Sequence, residues 1–355
     1  MELGQIQTPA LVLDLDVLEA NQKRMDAIVS GARAKLRPHY KSHKCTAIAK
    51  MQMQAGAKGI TCAKLGEAKD LAEAGIEDIL IANQITDKGK IAAAASLAGC
   101  CRLSVAVDQR DNILDLEAAA AYHGTVIHCL AEYEIGMARC GVDTPEEAYR
   151  LARTVMDCPH LVFEGIQAYA GHLSHEPSKA VRAETARSIE DRLRELKAYL
   201  ESRGCPVGEI SGCSTASAAD HAFQDSVYTE FQVGSYLFMD AAYRGLKDLP
   251  FQNSLFVLTS VMSRRGSRVV MDAGVKAVSS DQAPPLIRDF GSCPVILSEE
   301  HSQADILTGA PEIGQKLMLV PGHCCTCVNL YDAVYWIRGN KVEDKVPITS
   351  RGKSW

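Results

Sequence analysis

A dense group of metal-binding and nucleophilic side chains stands near the carboxyl end of the chain, in the segment PGHCCTCVN. It contains His323, Cys324, Cys325 and Cys327 within five positions. Imidazole and thiolate groups bind Zn²⁺, and a pair of thiols can also be oxidised reversibly to a disulfide. A closed zinc ribbon needs a second C-x-x-C pair, which the sequence lacks. A thioredoxin-like pair opens a helix, whereas this segment is predicted to be a strand. The remaining interpretation is that the segment forms part of an active site.

A second candidate is the segment LRPHYKSHKC, where Lys41 stands among His39, His43 and Lys44. Neighbouring cations can lower the pKa of a lysine, and a neutral amine is a nucleophile that forms a Schiff base with a carbonyl compound. The alternative for this segment is a solvated basic loop without chemistry.

Two further features could bind an anionic ligand. Arg139, in EYEIGMARCGV, follows a predicted strand and a glycine-containing turn, and a guanidinium there can hold a phenolate or carboxylate. A surface salt bridge is the alternative. The segments ISGCSTAS and QVGSYLF are Gly/Ser loops that end two late predicted strands. Backbone N–H groups in such loops commonly bind phosphate.

The elements that must position these residues repeat along the chain between about residues 36 and 240. Short apolar runs alternate with helical stretches: KLRPHYK, KGITCAK, DILIAN, CRLSVAVD, TVIHCLAEYE, FEGIQAYAG, GEISGCST and EFQVGSYLF. Eight such βα units predict a (β/α)8 TIM-type barrel in the α/β class, with an open doubly wound sheet as the alternative. In either architecture, chemistry gathers at the carboxyl ends of the strands.

The pattern changes after about residue 245, where strand-like runs follow one another with little helix. We therefore expect residues 12–243 to form the barrel, and residues 1–11 and 244–355 to form a mostly β domain that carries PGHCCTCVN. A long charged helix is predicted from Ser178 to Arg203, and another near TPEEAYRLART.

Bulk composition excludes several classes of function. The chain has 355 residues, 47% of them hydrophobic, a net charge of −6 and no basic block, which argues against nucleic acid. It has neither a signal-peptide pattern at its start nor an apolar run long enough to span a membrane, so we expect a cytoplasmic protein without a membrane partner. The 13 cysteines are scattered, as expected of reduced, mostly buried thiols.

Taken together and in order, several motifs resemble one family: RPHYKSHK, EIGMARCGV, GIQAYAGHLSH, QVGSYLFMD, MDAGVKAVSSD, LSEEH and PGHCCTCVN. The chain is similar to the D-threonine aldolase/D-serine dehydratase-like family of fold-type III pyridoxal phosphate (PLP) enzymes, whose barrel resembles the alanine racemase N-terminal domain. The motifs extend over nearly the whole chain. The resemblance implies PLP, a divalent metal and a small-molecule substrate, a β-hydroxy D-amino acid.

The resemblance also assigns roles to residues that bind PLP. Lys41 matches the lysine that holds the cofactor covalently, and Arg139 matches the arginine near its phenolic oxygen. Tyr169 matches a tyrosine that lies next to the cofactor in such enzymes. Gln232 takes the place of a racemase arginine that faces the pyridine nitrogen. The phosphate-binding loops contain the remaining matches, which are Gly212, Ser214, Thr215, Gly234 and Ser235.

His323 and Cys325 match the metal pair of the family, which is His-x-Asp in typical D-threonine aldolases and His-x-Cys in D-serine dehydratases. In a strand, residues i and i+2 face one side, so we expect Cys324 to point away from the metal. A thiolate and an imidazole favour Zn²⁺, and Mn²⁺ or Mg²⁺ are the alternatives.

Two features of the resemblance point to different reactions. His175 matches the aldolase histidine that takes the proton of the β-hydroxyl, with His172 as its competitor, whereas Cys325 is the dehydratase type of ligand. We expect a carbon–carbon lyase that cleaves D-threonine or 3-hydroxy-D-aspartate to glycine and an aldehyde. The alternative is a D-serine or 3-hydroxyaspartate dehydratase that releases ammonia and a keto acid, and a racemase is a more distant one. By analogy with related enzymes we expect a homodimer.

Overall fold

The computed structural model describes residues 1–355 and divides into two compact units. The barrel unit comprises Ala27–Lys41, Thr46–Gly234 and Lys353–Trp355, and the β-rich unit comprises Met1–Asp26, Ser42–Cys45 and Ser235–Gly352. None of the helices is both long enough and apolar enough to cross a membrane.

The elements follow one another along the chain in two blocks. Strand β1 (Ala10–Asp14) and helix α1 (Leu15–Val29) come first. The alternating block then runs β2 (Lys35–Leu36), α2 (Thr46–Gln54), β3 (Ile60–Cys62), α3 (Leu65–Glu73), β4 (Asp78–Ile81), α4 (Lys88–Leu97), β5 (Arg102–Val107), α5 (Arg110–His123), β6 (Ile127–Glu132), α6 (Pro145–Met156), β7 (Leu161–Ala168), α7 (Lys179–Glu201), β8 (Glu209–Gly212), α8 (Ala218–His221) and β9 (Glu230–Phe231). The final block contains β10 (Leu255–Arg265), β11 (Arg268–Met271), β12 (Leu286–Ile287), β13 (Ile296–Leu297), β14 (Ser302–Asp305), β15 (Lys316–Val320), α9 (Cys324–Val328), β16 (Ala333–Arg338) and β17 (Lys341–Pro347).

The alternating block is an eight-stranded parallel sheet in the order β2-β9-β8-β7-β6-β5-β4-β3. A parallel bridge between His39 and Thr61 connects the chain beyond β2 to β3, so the strands encircle a core. The strands are buried nearly throughout, as parallel strands covered by helices must be. The predicted (β/α)8 barrel, followed by a mostly β part, is confirmed.

The predicted helices have identifiable ends. Helix α6 begins at Pro145 after a capping box in which Thr144 accepts the N–H of Glu147 and the Glu147 carboxylate accepts the N–H of Thr144. The hydroxyl of Ser178 caps α7 by accepting the N–H of Val181. Both helices predicted from the sequence are therefore present, and α7 ends at Glu201, close to the expected position.

The β-rich unit is built around β10, which pairs antiparallel with β1, β11 and β15. Because β1 also pairs parallel with β16, residues 12–26 group with this unit. The segment after Ser235 does so too, since Ala241 N–H donates to Pro321 O at 3.0 Å. The barrel limits of 12–243 stay a prediction. A buried apolar cluster forms the core of the unit, including Val12, Phe256 and Ile337.

Candidate active site

A cavity of about 200 Å³ opens at the carboxyl ends of the barrel strands. Residues that follow β2, β3, β4, β6, β7 and β9 line it together with Gln167, near the end of β7: His39, Lys41, Ala63, Ala82, Asn83, Arg139, Cys140, Gln167, Tyr169 and Gln232. This is the face where (β/α)8 barrels place their chemistry. Four of the nominated PLP residues therefore share one cavity in the structure.

Lys41 lies in a single helical turn, Tyr40–Ser42, directly beyond β2. Its side chain is half-buried, and Nζ lies 5.4 Å from the centroid of the Tyr169 ring. The backbone N–H of Lys41 donates to Nδ1 of His39 at 3.3 Å. The amine thus lies beside a flat aromatic face, which suits a planar aromatic aldehyde.

Gln232 belongs to a buried network of neutral groups on three neighbouring strands. Its Nε2 donates to Oε1 of Gln167 at 2.6 Å and to Oγ of Ser211 at 2.8 Å. All three side chains are nearly inaccessible to solvent. The Oε1 of Gln232 also accepts a hydrogen bond from Nε2 of Gln167 at 3.4 Å, so the side chain at this wall is a neutral, hydrogen-bonded amide rather than a cation.

Arg139 lies in the loop between β6 and α6, where the carboxylate of Glu134 binds part of the loop backbone. Glu134 accepts the backbone N–H groups of Gly136 and, at 3.4 Å, of Arg139. Burial would raise the pKa of Glu134, but these backbone hydrogen bonds outweigh burial and lower it. The Arg139 side chain is exposed and lines the cavity.

The nominated phosphate-loop residues lie outside the wall of this cavity. Ser214 and Thr215 are buried beyond β8, where the N–H of Ser214 donates to Oγ of Ser217 at 3.4 Å. At Gly212 an added Cβ would lie 1.8 Å from the carbonyl oxygen of Ala168, so strand packing alone requires glycine there.

The unit boundary falls between Gly234 and Ser235. Ser235 belongs to the β-rich unit, where its hydroxyl lies 3.9 Å from the Sγ of Cys324.

The two candidate histidines lie on one short turn, Gly171–His175, and neither lines the cavity. His175 is exposed. His172 is half-buried against Gly136, and its Nδ1 is buried without a hydrogen-bond partner. Burial lowers the pKa of His172, although the charge of Glu134 opposes the shift.

The metal segment has a different local structure from the expected strand. Strand β15 ends at Val320, and α9 begins at Cys324 with His323 as its N-cap residue. Pro321 cannot donate to a ladder, and Gly322 approaches a neighbouring backbone so closely that an added Cβ would lie 2.1 Å from the carbonyl oxygen of Ala283. The chain therefore turns at these residues, and the prediction of a continuous strand was wrong.

The turn changes which side chains meet. Ligand atoms of His323, Cys324 and Cys325 all lie within 4.8 Å of one another, so the expectation that Cys324 points away was also wrong. An imidazole and two sulfurs are a donor set that suits Zn²⁺. Cys327 is fully buried, as expected of a core neighbour, and all 13 cysteines are thiols.

His323 is held from two sides within the β-rich unit. Ser279 Oγ donates to the carbonyl oxygen of His323 at 2.7 Å and accepts its N–H at 3.1 Å. The ring Nδ1 lies 2.9 Å from Oδ2 of Asp240. Burial would lower the pKa of His323, but Asp240 and Cys325 outweigh burial and raise it to about 10. Metal binding must therefore displace a proton.

Several residues of both sites were not nominated from the sequence. Asn83 follows β4 and Gln167 is the next-to-last residue of β7, so a survey of polar residues near the ends of the strands finds them. Asp240 ends the quoted motif QVGSYLFMD, but it is 83 positions from His323, and no local pattern connects the two.

Comparison with known proteins extends the resemblance to the whole chain. Residues 13–242 match the family model described as alanine racemase, N-terminal domain, and residues 254–337 match a putative serine dehydratase domain. A D-threonine aldolase of Arthrobacter sp. is 38% identical over 99% of this chain and 94% of its own length. The chain belongs to the D-threonine aldolase/D-serine dehydratase-like family.

Other members of the family agree in fold and class. A 3-hydroxy-D-aspartate aldolase of Paracoccus denitrificans is 36% identical over 100% of this chain and 95% of its own length. The crystal structure of D-threonine aldolase from Filomicrobium marinum has a TM-score of 0.97 and 35% identity, and the match covers 100% of this chain and 98% of that one. A D-threo-3-hydroxyaspartate dehydratase of Delftia sp. is more distant, at 29% identity over 90% of this chain and 91% of its own length. The predictions of a lyase and of this family are confirmed, and the fold implies PLP.

Proposed function

We propose that this protein is a PLP- and divalent-metal-dependent lyase that cleaves β-hydroxy D-amino acids to glycine and an aldehyde. The observation that carries the proposal is the full-length similarity to two aldolases, at 38% and 36% identity, against 29% for the dehydratase. The substrates in the names of the two aldolase relatives, D-threonine and 3-hydroxy-D-aspartate, are the first candidates.

The cavity of the barrel unit supports PLP binding by named residues. Lys41 provides the amine, Tyr169 the aromatic face, Arg139 a cation for the phenolic oxygen and Gln232 a neutral partner for the ring nitrogen. Gly212, Ser214, Thr215, Gly234 and Ser235 are proposed for the phosphate. When bound, PLP supplies an electron sink for the pair released by the broken Cα–Cβ bond.

His323 and Cys325 are proposed to hold the divalent metal, with Zn²⁺ favoured by the sulfur ligand. When bound, such an ion supplies Lewis acidity toward the substrate's β-oxygen. His175 is proposed to take the proton from the β-hydroxyl, and protonation of Cα then yields glycine. Further proposals by analogy are a homodimer and a cytoplasmic location.

Dehydration is the second candidate because the metal pair contains sulfur, as in D-serine dehydratases. In that reaction Lys41 would remove the Cα proton and hydroxide would leave. The two reactions differ in the bond that breaks, so the products separate them.

The test is to incubate the PLP- and Zn²⁺-loaded protein with D-threonine, 3-hydroxy-D-aspartate and D-serine, with the L isomers as controls. Glycine from the D isomers alone is expected. Ammonia and keto acids without glycine would establish the dehydratase instead. Racemisation that persists after chelation of the metal would contradict both lyase reactions.

A further inference from the structure

Asp240 is a fully buried carboxylate with hydrogen bonds on both oxygens. Its Oδ2 accepts the backbone N–H of Cys324 at 2.9 Å and lies 2.9 Å from Nδ1 of His323. Its Oδ1 accepts the N–H of Tyr243 at 3.2 Å. The side chain has no exposed surface, and hydrogen-bond donors of the protein take the place of water at both oxygens.

The contact determines which nitrogen of His323 carries a proton. An ionised carboxylate can only accept hydrogen bonds, so Nδ1 must be the donor. Nε2 is then the nitrogen that would release its proton and offer a lone pair to a metal. Both hydrogen bonds between Ser279 and His323 go to the backbone of His323, so they fix the backbone and not the ring.

We propose that Asp240 is a positioning residue that fixes His323 as an Nε2 metal ligand. The proposal rests on the proposed function, in which His323 and Cys325 hold the divalent metal. The same carboxylate oxygen binds the N–H of Cys324, the first residue of α9, and therefore also anchors the backbone that carries Cys325. Carboxylates that accept the second ring N–H of a metal-bound histidine fix its orientation and strengthen it as a ligand.

The first test is zinc binding by isothermal titration of the full-length protein. Asp240→Asn keeps the size of the side chain but removes its charge, and should weaken Zn²⁺ binding by about 10-fold to 100-fold. Asp281→Asn is the matched control, because Asp281 accepts the hydroxyl of Thr326 on the same helix at 2.6 Å. The control should bind zinc as the wild type does. Wild-type affinity in Asp240→Asn would overturn the proposal.

A second test needs no variant at Asp240. Nuclear magnetic resonance of protein labelled with isotopic nitrogen in its histidines reports which ring nitrogen of His323 bears hydrogen, with His323→Gln assigning the signal. Zinc-loaded protein should show Nδ1–H and a metal-bound Nε2. Metal on Nδ1 would overturn the proposal even if Asp240→Asn failed to fold.

The outcomes also separate this inference from the proposed function. A wild-type protein that binds zinc no better than His323→Gln contradicts the metal pair itself, and the role of Asp240 with it. Zinc binding that depends on His323 but not on Asp240 contradicts the role of Asp240 alone.

Discussion

Cys324 and Cys325 are adjacent in sequence but have different surroundings. Cys324 is fully buried and contacts the hydroxyl of Ser235, whereas Cys325 is half-buried at the start of α9. The short helix brings both sulfurs near His323, so alternation along a strand no longer selects between them. We propose that exposure selects Cys325, because a ligand on the accessible side leaves room for substrate at the ion.

Substitution of each sulfur tests this choice. Cys325→Ser should lower the affinity for Zn²⁺ by at least about 10-fold, because a hydroxyl replaces the thiolate that zinc prefers. Cys324→Ser, the matched control, should change it much less. Titration calorimetry on the metal-free proteins measures the Zn²⁺ affinity of both variants. Equal losses of affinity would mean that both sulfurs bind the ion.

Lys41 is the only residue proposed to bind PLP covalently. Lys41→Arg retains the positive charge beside Tyr169 but removes the nucleophilic amine, since a guanidinium is not deprotonated in proteins. We expect the variant to lose the visible absorbance of covalently held PLP while its far-ultraviolet circular dichroism is unchanged. Retention of that absorbance after dialysis would show that another amine holds the cofactor.

At the scale of elements, a buried arginine ties three barrel strands together. Arg37, just beyond β2, forms paired hydrogen bonds at 2.8 and 3.1 Å with Asp78, the first residue of β4, and an ion pair with Glu230, the first residue of β9. Only 2% of the Arg37 side chain is exposed. Removing one partner of a buried ion pair leaves the other charges without compensation.

Arg37→Met should therefore lower the free energy of unfolding by about 3 kcal/mol. Arg153→Met serves as the comparison, because Arg153 forms an exposed pair with Asp157, the residue after α6, and its loss should cost less than about 1 kcal/mol. Urea unfolding followed by circular dichroism compares them. Similar midpoints for the two variants would refute a stabilising role for the buried network.

The turn before α9 requires glycine at position 322, because a neighbouring backbone lies too close for a side chain. The same close approach ends the predicted strand. Alanine at position 322 would place Cβ 2.1 Å from the carbonyl oxygen of Ala283, so Gly322→Ala should displace His323 and cost about 1–3 kcal/mol. Gly4→Ala, whose Cβ would meet nothing within 4 Å, is the control. Zinc affinity should fall in the first variant and not in the second, and unchanged binding in Gly322→Ala would contradict the steric account.

For the whole molecule, periodicity predicted the architecture because eight apolar runs must be buried on both faces to pack as parallel strands. The position of Lys41 beyond the first of them followed from the same rhythm. The network of Gln167, Ser211 and Gln232 could not be predicted, because it forms only when three strands lie side by side. The contact between Asp240 and His323 likewise depends on tertiary structure.

We propose that this protein breaks the Cα–Cβ bond of a β-hydroxy D-amino acid. The most direct measurement is carbon magnetic resonance of D-threonine labelled isotopically at both Cα and Cβ, incubated with the PLP- and zinc-loaded protein. Cleavage should abolish the coupling between the two labelled carbons and yield labelled glycine and labelled acetaldehyde in equal amounts. A keto acid in which the two labels remain coupled would contradict the claim.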